Sequence, residues 1–171
     1  MNRQLHRFFT EDHHRLDQLL DKAKESGDQI DMAYYHLFRT GLLRHIKMEE
    51  NVLFPAAKKM DPELMQQQIP QYRKEHGALT ALMVPPPTLD LIFVIRYLLE
   101  RHDLRVEEPG GMYDICAELT AAQTQELLNI LKNTEEVPVL KHNAAPIAIE
   151  SAIRALDRAG YDYEAILRSK A

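Results

Sequence analysis

The chain has 171 residues, enough for one domain with a sizeable core. Its formal charge of -5 and pI of about 5.9, with no block of basic residues, give nucleic-acid binding no electrostatic support. No apolar run approaches the ~18 residues of a membrane span, and the single cysteine, Cys116, excludes an internal disulfide and argues against a thiolate metal cluster. The opening residues pass directly into an amphipathic pattern without a signal-peptide core, so the expectation is a soluble cytoplasmic protein with neither nucleic-acid nor membrane partners. Eight histidines are the compositional oddity, and their positions matter more than their number.

The spacing predicts a first helix over about residues 3–24, with Leu5, Phe9, Leu16, Leu20 and Ala23 on its buried face and Gly27 ending it. Measured from the centre of that stripe, His13 lies about 50° away and His14 about 150°, so His13 points in and His14 out. His6, two turns earlier, is close to the terminus and a weaker ligand candidate.

A second helix starts near residues 29–31. Within it Tyr34, Phe38, Gly41, Leu42, His45, Met48, Glu49, Val52 and Ala56 recur at steps of three and four. His45 and Glu49 stand one turn apart, about 6 Å, near the centre of this otherwise apolar stripe. An imidazole and a carboxylate facing a core are costly unless something satisfies them. A metal ion would do so, and so would a simple hydrogen bond between the two. Pro55 should bend this helix rather than end it.

Asp61-Pro62-Glu63 reads as a cap and restart for a short helix through about Gln68, with Ile69-Pro70 as a second break. A third long helix then runs over about residues 71–84, its stripe formed by Tyr72, His76, Leu79 and Met83, with Thr80 one turn after His76. Pro85-Pro86-Pro87 is a stiff, non-helical connection. From Thr88, a plausible N-cap, a fourth helix carries Leu91, Ile95, Leu98, Leu99 and His102 on one face. Val106, Glu107 and Glu108 follow, and Pro109-Gly110-Gly111 interrupts the chain.

Residues 112–132 read as a helical extension restarting at Thr120, and 133–145 as a loop. Residues 146–159 form a last amphipathic helix closed by Gly160, and 161–171 a tail. The expected fold class is all-α: an antiparallel up-down four-helix bundle with additional C-terminal helices. Residues 1–132 would form the bundle and its extension, and residues 133–171 would pack on or extend the same domain. A weak internal repeat supports this, because His45 with Glu49-Glu50 and His102 with Glu107-Glu108 each precede a helix restart.

Four core helices thus each bring one inward histidine: His13, His45, His76 and His102. Two also bring a glutamate, Glu49 and Glu107. Any one such histidine is more often a satisfied core residue than a ligand. Four on successive helices reverse those odds. Four imidazoles and two carboxylates suit a pair of iron or manganese ions bridged by carboxylate and a solvent-derived oxygen. Zinc, usually tetrahedral, would need fewer ligands at each ion.

The segments Asp12-His13-His14-Arg15-Leu16-Asp17, His45-Ile46-Lys47-Met48-Glu49-Glu50-Asn51-Val52-Leu53-Phe54-Pro55, Glu75-His76, and His102 with Glu107 resemble, in that order, the hemerythrin-like (HHE cation-binding) family. The resemblance covers about residues 3–130. It implies a four-helix bundle with a carboxylate-bridged, non-haem di-iron centre, manganese or zinc being alternatives. It also implies a small diatomic ligand or peroxide as partner, in sensing, iron or oxygen handling, or stress defence; a homodimer is an assembly left open. By the family pattern the ligands are His13, His45, Glu49, His76, His102 and Glu107.

Three departures qualify the match. Thr80 stands where hemerythrins have a further histidine, which implies an open or water-filled position. Val106 takes the slot one turn after His102, and Glu107 lies about 140° around an ideal helix, so a local distortion is needed and Glu108 is the fallback. The N-terminal paired-cysteine domain of the iron–sulfur repair members is missing from this sequence, so that function does not carry over. A di-iron oxidase, peroxidase or nitric oxide reductase is the alternative reading, and a metal-free helical interaction module the second. Cys116 is expected to lie outside the site.

Overall fold

A computed structural model describes residues 3–24, 27 and 29–170. Residues 1 and 2 of the opening segment and residue 171 of the tail lie outside the described residues. Among the described residues the regular structure is entirely helical. The helices are α1 (Gln4–Lys24), α2 (Met32–Met48), α3 (Phe54–Met60), α4 (Pro62–Leu82), α5 (Leu89–Glu107), α6 (Met112–Leu119), α7 (Thr124–Lys132), α8 (Pro146–Arg158) and α9 (Tyr163–Arg168). No helix is long and apolar enough to cross a membrane.

The ends follow local chemistry. Asp31 caps α2 by accepting from the Ala33 and Tyr34 N–H groups, Asp61 caps α4 through Leu64, and Thr88 caps α5 through Leu91. α1 packs against α2, α5 and α6, while α4 packs against α3, α5 and α8. Two apolar clusters result. One gathers Leu16, Leu20, Phe38, Leu42, Leu79 and Leu98; the other gathers Leu5, Phe9, Met48, Phe54, Val106 and Met112. Along α1, α2 and α5 the inward histidines fall between residues of the first cluster and residues of the second. A polar layer is therefore sandwiched between two dry ones.

Sequence expectations need correction at several points. Pro70 does not break the chain: α4 is continuous over Pro62–Leu82 with Pro70 inside it. Gln66 and Pro70 both lie on its exposed face, where the carbonyl left without an N–H partner can be hydrated, so the proline costs less than it would in the core. The chain does restart after Thr120, but first as a short 3-10 turn over Ala121–Gln123 and as α7 only from Thr124, while the Thr120 hydroxyl donates back to the Cys116 carbonyl at 2.7 Å. The tail is ordered as well, with α9 packed on α5.

Pro55 neither ends nor simply bends its helix. Between α2 and α3 the helix widens into a π-turn over Glu49–Leu53, with the Phe54 N–H bonding the Glu49 carbonyl five residues back. Proline has no N–H for the Asn51 carbonyl and its ring crowds that carbonyl, and one extra residue in the turn relieves both. The inserted residue advances the phase, so Leu53 is buried where an unbroken helix would bury Val52.

Candidate metal centre

The polar layer is built from His13 on α1, His45 on α2, Glu49 at the start of the π-turn, His76 on α4 and His102 on α5. Their exposures are 5%, 2%, 0%, 2% and 2%, so five ionisable groups share an interior that would reject them singly.

Each imidazole is held on its outer edge by a carboxylate from a neighbouring helix. Asp12 of α1 accepts from His45 Nδ1 at 2.8 Å, and Glu50 of the π-turn accepts from His76 Nδ1 at 2.8 Å. Glu75 of α4 accepts from His102 Nδ1 at 2.9 Å, and Glu107 of α5 accepts from His13 Nδ1 at 2.6 Å. The four bonds form a closed ring, α1 to α2 to α4 to α5 and back to α1. A carboxylate at Nδ1 fixes the ring orientation and leaves Nε2 as the inward donor, as in metal-bound histidines. Glu75, fully buried, also accepts from Gln71, Arg105 and the Tyr161 hydroxyl, which ties the C-terminal tail to the layer.

Inside the ring, Glu49 presents its two oxygens to opposite halves. Oε1 accepts from the Tyr113 hydroxyl at 2.7 Å and lies 3.8 Å from His45 Nε2, while Oε2 lies 2.8 Å from His76 Nε2. The last pair is close but has no hydrogen-bonding alignment, and both atoms are buried without a hydrogen-bond partner. Two such atoms converging off-axis are what a shared cation would explain. The rings also fall into two pairs. Centroids are 4.5 Å apart for His13 and His45 and 5.0 Å for His76 and His102, against 6.2 Å between His13 and His102. Donor atoms of His13, Glu49 and His102 all come within 4.8 Å of one another, a spacing suited to a metal ion. Imidazole nitrogens with hard oxygens and no thiolate fit iron, manganese or zinc.

The electrostatics of the layer divide the imidazoles, two pushed down and two, His45 and His76, pushed up by their carboxylates against burial. Burial pushes the His13 ring down to about 4, and burial and then His76 push His102 down to about 3. Both are therefore neutral near pH 7 with a bare Nε2, the form a metal binds. Burial also opposes charge on His45, but the bonds to Asp12 and Glu49 outweigh it and hold that ring at about 9. Glu49 is disfavoured by burial yet held well below the usual carboxylate range by His76 and His45. Asp103 behaves differently: burial pushes its carboxyl up to about 8. Its Oδ1 lies 3.5 Å from His13 Nε2 and has no hydrogen-bond partner.

Five of the six expected ligands, His13, His45, Glu49, His76 and His102, are thus brought together. Glu107 lies on the outer edge of His13 and closes the ring, because five residues beyond His102 on an undistorted helix it faces α1 rather than the centre. Glu108 is exposed. The carboxylate of α5 nearest the inward nitrogens is Asp103. Thr80 is exposed and does not line the centre. His6 bonds the Glu107 carbonyl at 3.0 Å, and His14 is exposed against Gln18. His36 is exposed, and His142 contacts Arg39. Cys116 is buried in the second apolar cluster, where burial pushes its thiol up.

Sequence reading missed Tyr113, Asp103 and the bracing carboxylates. Most of these had a signal: the braces Asp12, Glu50 and Glu75 each adjoin an inward residue in the chain, as Asp103 adjoins His102. Beside the centre, a cleft of about 350 Å³ between α3 and α4 is lined by Pro55, Met65, Ile69 and Pro70 together with Lys58, Gln66 and Arg73, and ends on Phe54. The Phe54 ring lies parallel to His76 with centroids 6.2 Å apart. No family model, curated protein or solved structure matches this chain.

Proposed function

We propose that this chain is a hemerythrin-like protein in which α1, α2, α4 and α5 form an antiparallel four-helix bundle around two non-haem iron ions. The observation that carries this reading is Glu49 set between two imidazole pairs, one oxygen toward each, with four Nε2 atoms turned inward. His13, His45, His76 and His102 would hold the ions, with Glu49 between the imidazoles and Asp103 as the further carboxylate. Glu107 orients His13. When bound, the pair of ions supplies reversible one-electron chemistry and open coordination for a small ligand.

The ligand class is O2, nitric oxide or peroxide, in sensing, iron and oxygen handling, or stress defence. The same ring of carboxylates keeps the imidazoles oriented whatever the ligand.

The test is metal analysis with an optical spectrum after expression in iron-supplemented medium and purification without chelators. About two irons per chain are expected, falling to one or none in Glu49→Ala. A folded, helical wild-type protein that binds no transition metal would overturn the proposal.

A further inference from the structure

Tyr113 is 1% exposed, yet its hydroxyl touches no solvent-facing or backbone partner. Its oxygen lies 2.7 Å from Glu49 Oε1, 3.1 Å from His13 Nε2 and 3.3 Å from His45 Nε2. The phenol has one proton for these three neighbours, and that proton is donated to Glu49. The Nδ1 protons of His13 and His45 are committed to Glu107 and Asp12. The Nε2 edges of both rings thus converge on the one phenol oxygen together with Glu49 Oε1, three donor atoms within 3.3 Å of it.

We infer that Tyr113 is itself a metal ligand, its phenolate oxygen joining His13, His45 and Glu49 around one of the two ions. This rests on the metal centre proposed above. The distances carry it: donors about 2.0–2.2 Å from a common ion at right angles stand ~2.8–3.1 Å apart. The three contacts of the hydroxyl fall on or within 0.2 Å of that range. On coordination the O–H bond gives way to an oxygen–metal bond and the proton leaves to water.

Charge and position support it independently. The inner set offers few negative groups to trivalent ions, and a phenolate is a hard oxygen donor that adds one. α6 is fixed close to the centre by the turn before it. A Cβ on Gly111 would meet the Arg105 carbonyl oxygen at 2.5 Å and that of Glu108 at 2.8 Å. The Asp114 carboxylate accepts from the Gly110 N–H at 3.1 Å, and the Phe9 ring stacks on Tyr113 with centroids 5.0 Å apart. The ring is thus held from both sides with its oxygen aimed inward.

The experiment uses the full chain loaded with iron and oxidised in air. Phenolate bound to iron(III) gives a visible charge-transfer band, and resonance Raman excitation in that band enhances tyrosinate ring modes, which shift when the protein is made with ring-deuterated tyrosine. Tyr113→Phe is expected to retain iron and lose the band, while Tyr72→Phe, a control near His102, retains both. If wild type binds no iron, the metal-centre reading fails with everything resting on it. If wild type binds iron without tyrosinate modes, or Tyr113→Phe keeps them, Tyr113 is only a hydrogen-bond donor to Glu49 and this inference is overturned. Should Tyr113→Phe fail to fold, the isotope shift in wild type, with Tyr72→Phe retaining it, decides.

Discussion

Removing Asp12 tests whether the outer carboxylates set the inner geometry. Asp12 accepts from His45 Nδ1 at 2.8 Å and from Arg15 Nε at 2.8 Å, and touches no inward nitrogen. Asp12→Ala leaves the N–H of a fully buried imidazole without its acceptor, which costs about 1–3 kcal/mol of stability. It also frees His45 to rotate, and loss of such a partner lowers metal affinity ~10–100-fold. Arg15→Ala is the control. That side chain is half exposed, and its surface ion pair is worth about 0–1 kcal/mol. Chelator competition reads the affinity and thermal melts followed by circular dichroism read the stability. The metal-free protein adds a pH signature. Burial raises the Asp12 carboxyl, but His45 and Arg15 outweigh it and bring it from 3.8 down to about 2. A depressed carboxylate stabilises the fold fully above pH 3.8 and loses that contribution as pH falls through about 2, so Asp12→Ala should flatten this part of the acid limb. Wild-type affinity within twofold in Asp12→Ala would refute the reasoning, because His45 would then not depend on its brace.

His13→Ala is expected to lower both metal occupancy and the melting temperature, since an ion bound only to the folded state stabilises it by mass action. His14→Ala, at an exposed position, should do neither; the reverse pattern in metal analysis would mean α1 is rotated by about 100°. Cys116→Ser should leave metal content unchanged while costing about 1 kcal/mol for a hydroxyl in an apolar cluster, read by urea denaturation. Gly111→Ala places a methyl group against two fixed carbonyl oxygens, and about 1–3 kcal/mol of destabilisation is expected; a loss below ~0.5 kcal/mol would contradict so tight an approach.

The helical phases of His13, His45, His76 and His102 were legible because each falls in a stripe repeating at three and four. What periodicity could not carry was anything that depends on a helix boundary or a distant return of the chain. Pro70 reads as a break because a proline in isolation is one, and only its exposure in α4 makes it tolerable. Glu107 was assigned inward by pattern, whereas its angle on an undistorted α5 sends it to His13's outer edge. Tyr113 and Tyr161 reach the layer from segments beyond the four long helices, across 64 and 86 residues to Glu49 and Glu75, and no local spacing marks them.

The bracing ring has a simple cause in helix geometry. Neighbouring residues on a helix point about 100° apart, so the residue beside a core-facing one aims at the seam with the next helix. Asp12 beside His13, Glu50 beside Glu49 and Glu75 beside His76 all use that angle, each reaching the imidazole of the following long helix. Glu107 reaches the first helix from the last turn of α5 and completes the circuit. Each helix therefore both supplies an inward ligand candidate and orients one on its neighbour. Displacing one of these helices misaims two imidazoles, its own and the next. Four inward-facing nitrogens in an apolar interior need such a frame before any ion arrives, because without it each would seek the nearest carboxylate and collapse the layer. The ring satisfies the outer nitrogens so that the inner ones can remain available, which is the condition a metal centre requires of the protein around it.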